Sequence, residues 1–497
     1  MEQSGTQSGT KESPMKRLVA GSVIYGLGNV ANKLVTLLLL PIFTTYLTPE
    51  DYGVVSMLTV VGGFTASIFA LGLSSSIGIL YFDTREPRQR QRIIWNAAIV
   101  LFASAMIMAL AGLILATPLS RIFLNDAGYA EHTKIALATA AAGVAGIPWQ
   151  LRLQFEERPV AFVIVSALGL VATTAASLWF VVMLDRGAIG ALTGSLVGQL
   201  VGTVLLLIAA ADKPPLDQNF NFAGRLIYHG LPFIPSFGFI FLLQNWVRWP
   251  LEWHHGLDDV GIYSVGANIG VALGLFVNAF LSAWTPFALS YAGREDEAAA
   301  VLGRITLYYV AGFGFLTCLF FLYAAPVVQW FTQPTFARAA EVVGLSAVGQ
   351  FLSGLFMMML PPLYFAKRVQ VVVVTQAIAT TVVIGCGELV VPRFGIHGAA
   401  ISVVLGFLVL VVIQWVVMNR LPVVKIRYDF RRAGFLMLLF GVVAAVSFSI
   451  DFASLGLGLL LAIGVTIGTG AVVFLQICRL EEILLVIKRT PWLLQNK

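Results

Sequence analysis

The chain has little charge. Only 11% of its 497 residues are Asp, Glu, Lys or Arg, against 58% hydrophobic residues, and the mean hydropathy is +0.88. Globular domains carry about 25% charged residues, so this composition leaves no stretch able to form a soluble catalytic, nucleotide-binding or nucleic-acid-binding domain. Cysteine is scarce too: Cys318, Cys386 and Cys478 stand far apart inside apolar segments. That excludes a disulfide framework and a metal-ligand spacing, and leaves packing as their role. The net charge of +6 would suggest nucleic acid in a soluble protein. In a multispanning protein it is what basic cytoplasmic loops produce, so no nucleic-acid partner is expected.

What the chain has in abundance is apolar runs. A helix needs about 20 apolar residues to cross the hydrocarbon core, and fourteen runs fit, near 18–46, 53–81, 93–117, 133–153, 160–184, 187–210, 226–252, 260–288, 301–324, 340–365, 369–391, 395–418, 433–450 and 454–477. The first fifteen residues, MEQSGTQSGTKESPM, read as a disordered polar tail. The long run after them lacks a small-residue cleavage site and reads as a retained first helix. The expected fold is an all-α integral membrane protein. Its parts are a tail (1–15), a six-helix bundle (16–212), a second six-helix bundle (213–424), and two extra helices with a cytoplasmic tail (425–497).

Lys and Arg are unevenly spread over alternate loops: one set, with both termini, holds 24, and the other holds five. Lys33 and Arg248 fall inside spans. The positive-inside rule then places both termini in the cytoplasm of a cell whose inner membrane holds the protein. Within the basic set, Arg17, Arg152 and Arg225 are candidates for a cytoplasmic entrance.

At an offset of 208 the halves of the chain match. TPEDYGVVS (48–56) aligns with GLDDVGIYS (256–264), pairing Asp51 with Asp259, Gly53 with Gly261 and Ser56 with Ser264. The same offset pairs Arg17 with Arg225, Ser74 with Ser282, GAIGAL (187–192) with GIHGAA (395–400), and Gly198 with Gly406. Six spans separate equivalent points, and an even number implies parallel repeats about an axis along the membrane normal. Transporters built in this way carry substrate between the halves.

Polar groups inside spans are costly and mark function. Tyr25, Asn29, Lys33 and Thr36 share one helix face by their spacing of four, four and three, with Asn32 beside them. Lys33 reads either as a Lys paired within a helix interface or as the wall of a water-filled cavity. Span seven carries Gln244, Asn245 and Arg248, and Pro232 and Pro235 near its start are expected to break it. Arg248 lies outward of Lys33 and reads either as a cavity residue or as an arginine snorkelling to headgroups. Two cations with almost no buried acid imply an anionic ligand such as a diphosphate. Glu388 is the one acid assigned to a span interior; it is a candidate for H+ or Na+ coupling, or an interfacial carboxylate paired with Arg393. His229, His254 and His255 lack metal-ligand spacing, and Ser74, Ser75 and Ser76 have no His or acid nearby in sequence, so neither a metal nor another cofactor is expected, nor an enzyme. Two alternatives remain: a cation-coupled drug antiporter, and an intramembrane lipid-linked glycan polymerase or ligase.

YGLGNVANKLVTLLLLPIFTTYLTPEDYG (25–53) resembles the opening of the polysaccharide-biosynthesis transporters, the lipid-linked O-antigen and exopolysaccharide flippase branch of the multidrug/oligosaccharidyl-lipid/polysaccharide exporter superfamily. GLPFIPSF (230–237), VGIYSVGANIG (260–270), SAWTPFALSYAG (282–293) and PRFGIHGAAIS (392–402) resemble later stretches of that family. The resemblance implies two six-helix bundles forming a V around a cationic cavity. It implies alternating access that carries an undecaprenyl-diphosphate-linked saccharide to the periplasmic face, with two C-terminal helices sheltering the lipid tail. On this reading the chain is a monomer. Its partners are the lipid-linked oligosaccharide, membrane lipid and the polymerase or glycosyltransferases of the same glycan. Two departures stand out. Val247 occupies a position where many relatives carry an acid, and the deep acids that drug exporters place in the amino-terminal bundle are missing.

Overall fold

A computed structural model describes residues 39–212, 221–291, 293–366, 368, 370–421, 425–449 and 455–477. Its regular structure is helical, as hydrocarbon demands of a chain whose backbone groups must all be satisfied within it. The helices are α1 (Leu40–Tyr46), α2 (Pro49–Phe69), α3 (Leu73–Asp83), α4 (Pro87–Leu124), α5 (Ala130–Phe155), α6 (Pro159–Leu178), α7 (Gly187–Ala210), α8 (Asn221–Gly230), α9 (Ile234–Asn245), α10 (Arg248–Val271), α11 (Leu273–Leu289), α12 (Glu295–Leu322), α13 (Ala324–Phe331), α14 (Ala340–Met358), α15 (Pro361–Phe365), α16 (Gln370–Arg420), α17 (Phe430–Ser447) and α18 (Leu455–Ile477).

Among the described residues, ten helices, some running through several of these segments, are long and apolar enough to cross a membrane. α16 is 51 residues long. Unbroken it would run about 75 Å, more than twice a hydrocarbon core of about 30 Å, but it turns at Gly395, where φ is 53° and ψ −128°. α10 turns likewise at Gly256, with φ 83°. The prolines break their helix as expected: α8 ends at Gly230, a 3₁₀ turn spans Leu231–Phe233, and α9 starts with Pro235 in its first turn. Cys318 is buried and Cys386 half-buried; Cys478 lies outside the described residues.

α2, α4, α5, α6 and α7 pack on one another, and α9 through α16 form a second group, with α17 and α18 against α12. Large apolar side chains face outward, among them Ile114, Leu438 and Leu475. The two groups meet where α2 crosses α10. There the backbones touch: a Cβ on Gly53 would stand 2.0 Å from the Leu257 carbonyl oxygen, and one on Gly261 would stand 1.9 Å from that of Pro49. The two contacts are reciprocal, since both Gly53 and Gly261, and Pro49 and Leu257, are 208 residues apart. Small residues permit this approach, and in lipid, where apolar surface gains nothing by hiding from other apolar surface, close packing is what joins helices.

Capping holds the crossing in place. Thr48 and Asp51 form a capping box at the start of α2. The second Asp51 oxygen accepts the Ala188 N–H at 3.1 Å, which fastens α7 to the same turn. A second meeting point joins α3 to α8. A Cβ on Gly72 would come 2.1 Å from the Gly230 oxygen, and one on Gly230 would come 2.4 Å from that of Leu71. Ser76 Oγ donates to the Leu226 carbonyl at 2.7 Å just beyond.

Gly53→Ala and Gly261→Ala are expected to lower stability by about 1–3 kcal/mol each, because an added methyl must push two backbones apart. Gly238→Ala, where a Cβ meets nothing within 4 Å, is expected to be neutral or stabilising by up to about 1 kcal/mol. Thermal unfolding of the purified variants in detergent checks this; equal melting temperatures for all three would contradict it.

Candidate functional site

The side chains that look across the α2–α10 crossing are polar. Ser56 Oγ and Ser264 Oγ lie 2.6 Å apart, a contact between two positions that the 208 offset makes equivalent. In a chain built of two repeats, equivalent residues meet beside the axis that relates them. Arg248, in the first turn of α10, donates from Nε to Ser56 Oγ at 3.3 Å and from Nη1 to Asn245 Oδ1 at 2.9 Å. Its guanidinium carbon sits 5.5 Å from the centre of the Tyr263 ring. Arg248 is 9% exposed and Tyr263 is 3% exposed.

Arg248 therefore does not snorkel. The turn from Arg248 to Glu252 is buried throughout, with Trp249 against Phe123 and Trp246 at centroid distances of 5.7 and 5.2 Å. An arginine at this depth reaches for the nearest oxygens, and here these belong to a serine of the opposite group and an amide one turn back. No ion pair forms between Arg248 and a described acid, and its Nη2 makes no hydrogen bond to a described residue. A buried cation of this kind can take an anion with two parallel N–H donors.

Glu252 was missed by the reading that made Glu388 the one acid within a span. It stands at the last position of the run 226–252 and is 6% exposed. Both of its oxygens accept from Asn125 Nδ2, each at 3.2 Å. Asn125 belongs to the other group of helices, at the left-handed residue that ends α4. Arg248 and Glu252 are four residues apart on one helix, a spacing that could have flagged both for one face. Each is held by a neutral side chain from across the crossing.

The remaining candidates are scattered. Asn245 joins the site; its Nδ2 is spent on the Phe241 carbonyl at 2.9 Å. Gln244 is exposed, as is Glu388, which makes no ion pair with Arg393 or any other described residue. Arg225 is exposed and lies 5.8 Å from the Phe222 ring centre. Arg152 is buried and bound to Glu156 and Asp212. Arg17, Tyr25, Asn29, Asn32 and Lys33 lie outside the described residues.

The family described as polysaccharide biosynthesis protein matches residues 18–291. A comparison with curated proteins found no match. Solved structures of similar fold include a multidrug resistance MATE family transporter of the MOP superfamily in an inward-facing conformation. It is 16% identical, with 86% of this chain and 99% of that chain covered and a TM-score of 0.65. The lipid II flippase MurJ in an inward closed conformation is 11% identical over 93% of this chain and 99% of that chain, with a TM-score of 0.63. A MOP superfamily transporter from Pyrococcus furiosus, described as having reversed polarity in its binding pocket, is 17% identical over 84% and 98%, with a TM-score of 0.60. At these identities the likeness is one of fold.

Removing the amide from position 125 is expected to strand a buried carboxylate. Asn125→Ala should cost about 1–3 kcal/mol in stability, and much less in a Glu252→Leu background, where no carboxylate needs a donor. A thermal double-mutant cycle checks this; the same cost in both backgrounds would show that Asn125 acts elsewhere.

Proposed function

Because the chain belongs to the polysaccharide biosynthesis protein family, we propose that it is a flippase. On this reading it carries an undecaprenyl-diphosphate-linked oligosaccharide from the cytoplasmic to the periplasmic leaflet of a bacterial inner membrane, for O-antigen, lipopolysaccharide or other surface polysaccharide synthesis. The observation that carries the reading is Arg248: a buried guanidinium at the meeting of the two helix groups, with no acid among the described residues paired to it and Nη2 without a described partner. Keeping a charge buried and uncompensated is costly. An arriving diphosphate offsets that cost, and a cationic drug would add to it.

Lys33 supplies the second positive charge, and Tyr25, Asn29, Asn32, Gln244 and Asn245 supply donors and acceptors for the headgroup. Arg17, Arg152 and Arg225 attract the diphosphate at the cytoplasmic entrance. Any coupling to H+ or Na+ runs through Glu388, and the chain works as a monomer beside the polymerase and glycosyltransferases that make its substrate. Counting each glycine-broken helix twice and adding α5 and the first apolar run gives fourteen crossings, an even number that puts both termini on one side, and the basic loops make that side the cytoplasm. The reciprocal contacts of Gly53 and Gly261 support two parallel six-helix repeats, with α17 and α18 as the appended pair.

Loss of the protein is expected to make lipid-linked oligosaccharide accumulate and surface polysaccharide disappear. Arg248→Ala should lower export several-fold and Lys33→Ala should abolish it, while Lys33→Arg keeps part of it because an arginine still offers positive donors. Sensitivity to cationic drugs should hardly change. Normal surface glycan with marked drug hypersensitivity would overturn this reading in favour of a drug antiporter of the same fold.

A further inference from the structure

We propose a second binding site, for an alkylammonium group such as the headgroup of an aminophospholipid, where the second helix group meets α17. It shares no residue with the Arg248 site and is independent of the transport reading. A cavity of about 160 Å³ opens there between the end of α12, the starts of α13 and α14 and the end of α17. Phe321, Glu341, Ser447 and Phe448 line it, with alanines between them. Sites for drug-sized ligands run to about 300–1,000 Å³, so this one suits a group of a few heavy atoms.

Its depth and its sign narrow the class. Helices that cross a bilayer end at headgroup level, and α12, α14 and α17, each part of a segment long and apolar enough to cross, end or begin here. Glu341 is the one ionisable residue in the lining. It stands in the first turn of α14, where its full negative charge outweighs the roughly half positive charge of a helix start. The cavity therefore turns a phosphate away and draws a cation.

The polar atoms that face an incoming group are acceptors. Glu341 Oε2 lies 3.3 Å from His397 Nε2, while Oε1 makes no hydrogen bond to a described residue, and the side chain is 38% exposed. Ser447 Oγ donates to the Ala444 carbonyl at 2.7 Å, which leaves its lone pairs to accept. An ammonium group has three N–H donors and no acceptor, as this lining requires. The aromatic rings add to the fit. Phe321 and Phe448 meet edge to face with centres 6.2 Å apart, and an aromatic face beside the cation is how ammonium ligands are commonly held. Phe321 is fixed against α14, since a Cβ on Gly344 would come 2.3 Å from its ring. Phe448 is 64% exposed and gives the glycerol carbons of a lipid an apolar flank. A headgroup held between Glu341 and Phe448 would tie α17 to the group on which it packs.

The test uses the full chain purified in detergent, with dioctanoyl phosphatidylethanolamine, its N-acetyl derivative and ethanolamine as probes and bound molecules counted by native mass spectrometry. Wild type should bind one phosphatidylethanolamine, and the N-acetyl lipid, which has lost its cation, about tenfold more weakly or worse. Glu341→Gln should weaken phosphatidylethanolamine binding by a similar factor, and Phe448→Leu severalfold. His397→Gln breaks the same Glu341–His397 contact but keeps the carboxylate, so it should bind at least as tightly as wild type. Ethanolamine that competes as tightly as the lipid would identify a free amine as the ligand of the same site. Equal binding of the two lipids by wild type, equal phosphatidylethanolamine binding by wild type and Glu341→Gln, or a loss in His397→Gln as large as in Glu341→Gln, would overturn the proposal.

Discussion

Everything in this molecule is arranged around two helices that touch backbone to backbone. In lipid, apolar side chains gain nothing by meeting one another, so helices hold together through close approach and a few hydrogen bonds. α2 and α10 achieve that approach through Gly53 and Gly261, each against a carbonyl of the other helix. The Ser56–Ser264 bond lies at the same place, and Asp51 ties α7 to the same turn. A contact this close is either made or broken. Such an interface suits a molecule whose halves exchange two arrangements, because packed surfaces switch between arrangements and do not stretch.

The polar residues at the crossing follow from the same geometry. Arg248 and Glu252 lie on one helix and are each held by a neutral group from the opposite side, Ser56 and Asn125. Separating the halves would break both bonds and admit water to both charges. On the proposed reading an anion at Arg248 would change that balance, which is how a substrate biases an equilibrium between two states: it interacts with them unequally.

Much of this was legible in the sequence, and the illegible part has physical reasons. The 208 offset paired Gly53 with Gly261 and Ser56 with Ser264, but a repeat reads the same whether its copies touch or stand apart; only the fold reveals that these pairs meet at the crossing. Pro232 and Pro235 break their helix where their missing N–H groups require it. Arg248 was placed inside an apolar run, which the structure divides between α9 and α10, while its direction was open, because the choice between headgroup and interior depends on what the neighbouring helix offers. Glu252 escaped notice because it ends its apolar run, and the end of a run reads as an interface until another helix is seen to cover it. Tyr263 carried no signal beyond its place in an apolar run.

The proposed flippase cycle requires the α2–α10 crossing to open and close, which is tested most directly at its centre. Cysteines at Ser56→Cys and Ser264→Cys, in a background without the three native cysteines, place two sulfurs where the oxygens now lie 2.6 Å apart, within reach of a disulfide bond of about 2.05 Å. Export of lipid-linked oligosaccharide by the reconstituted chain should stop on oxidation and return on reduction. Undiminished export by the fully cross-linked chain would contradict the account.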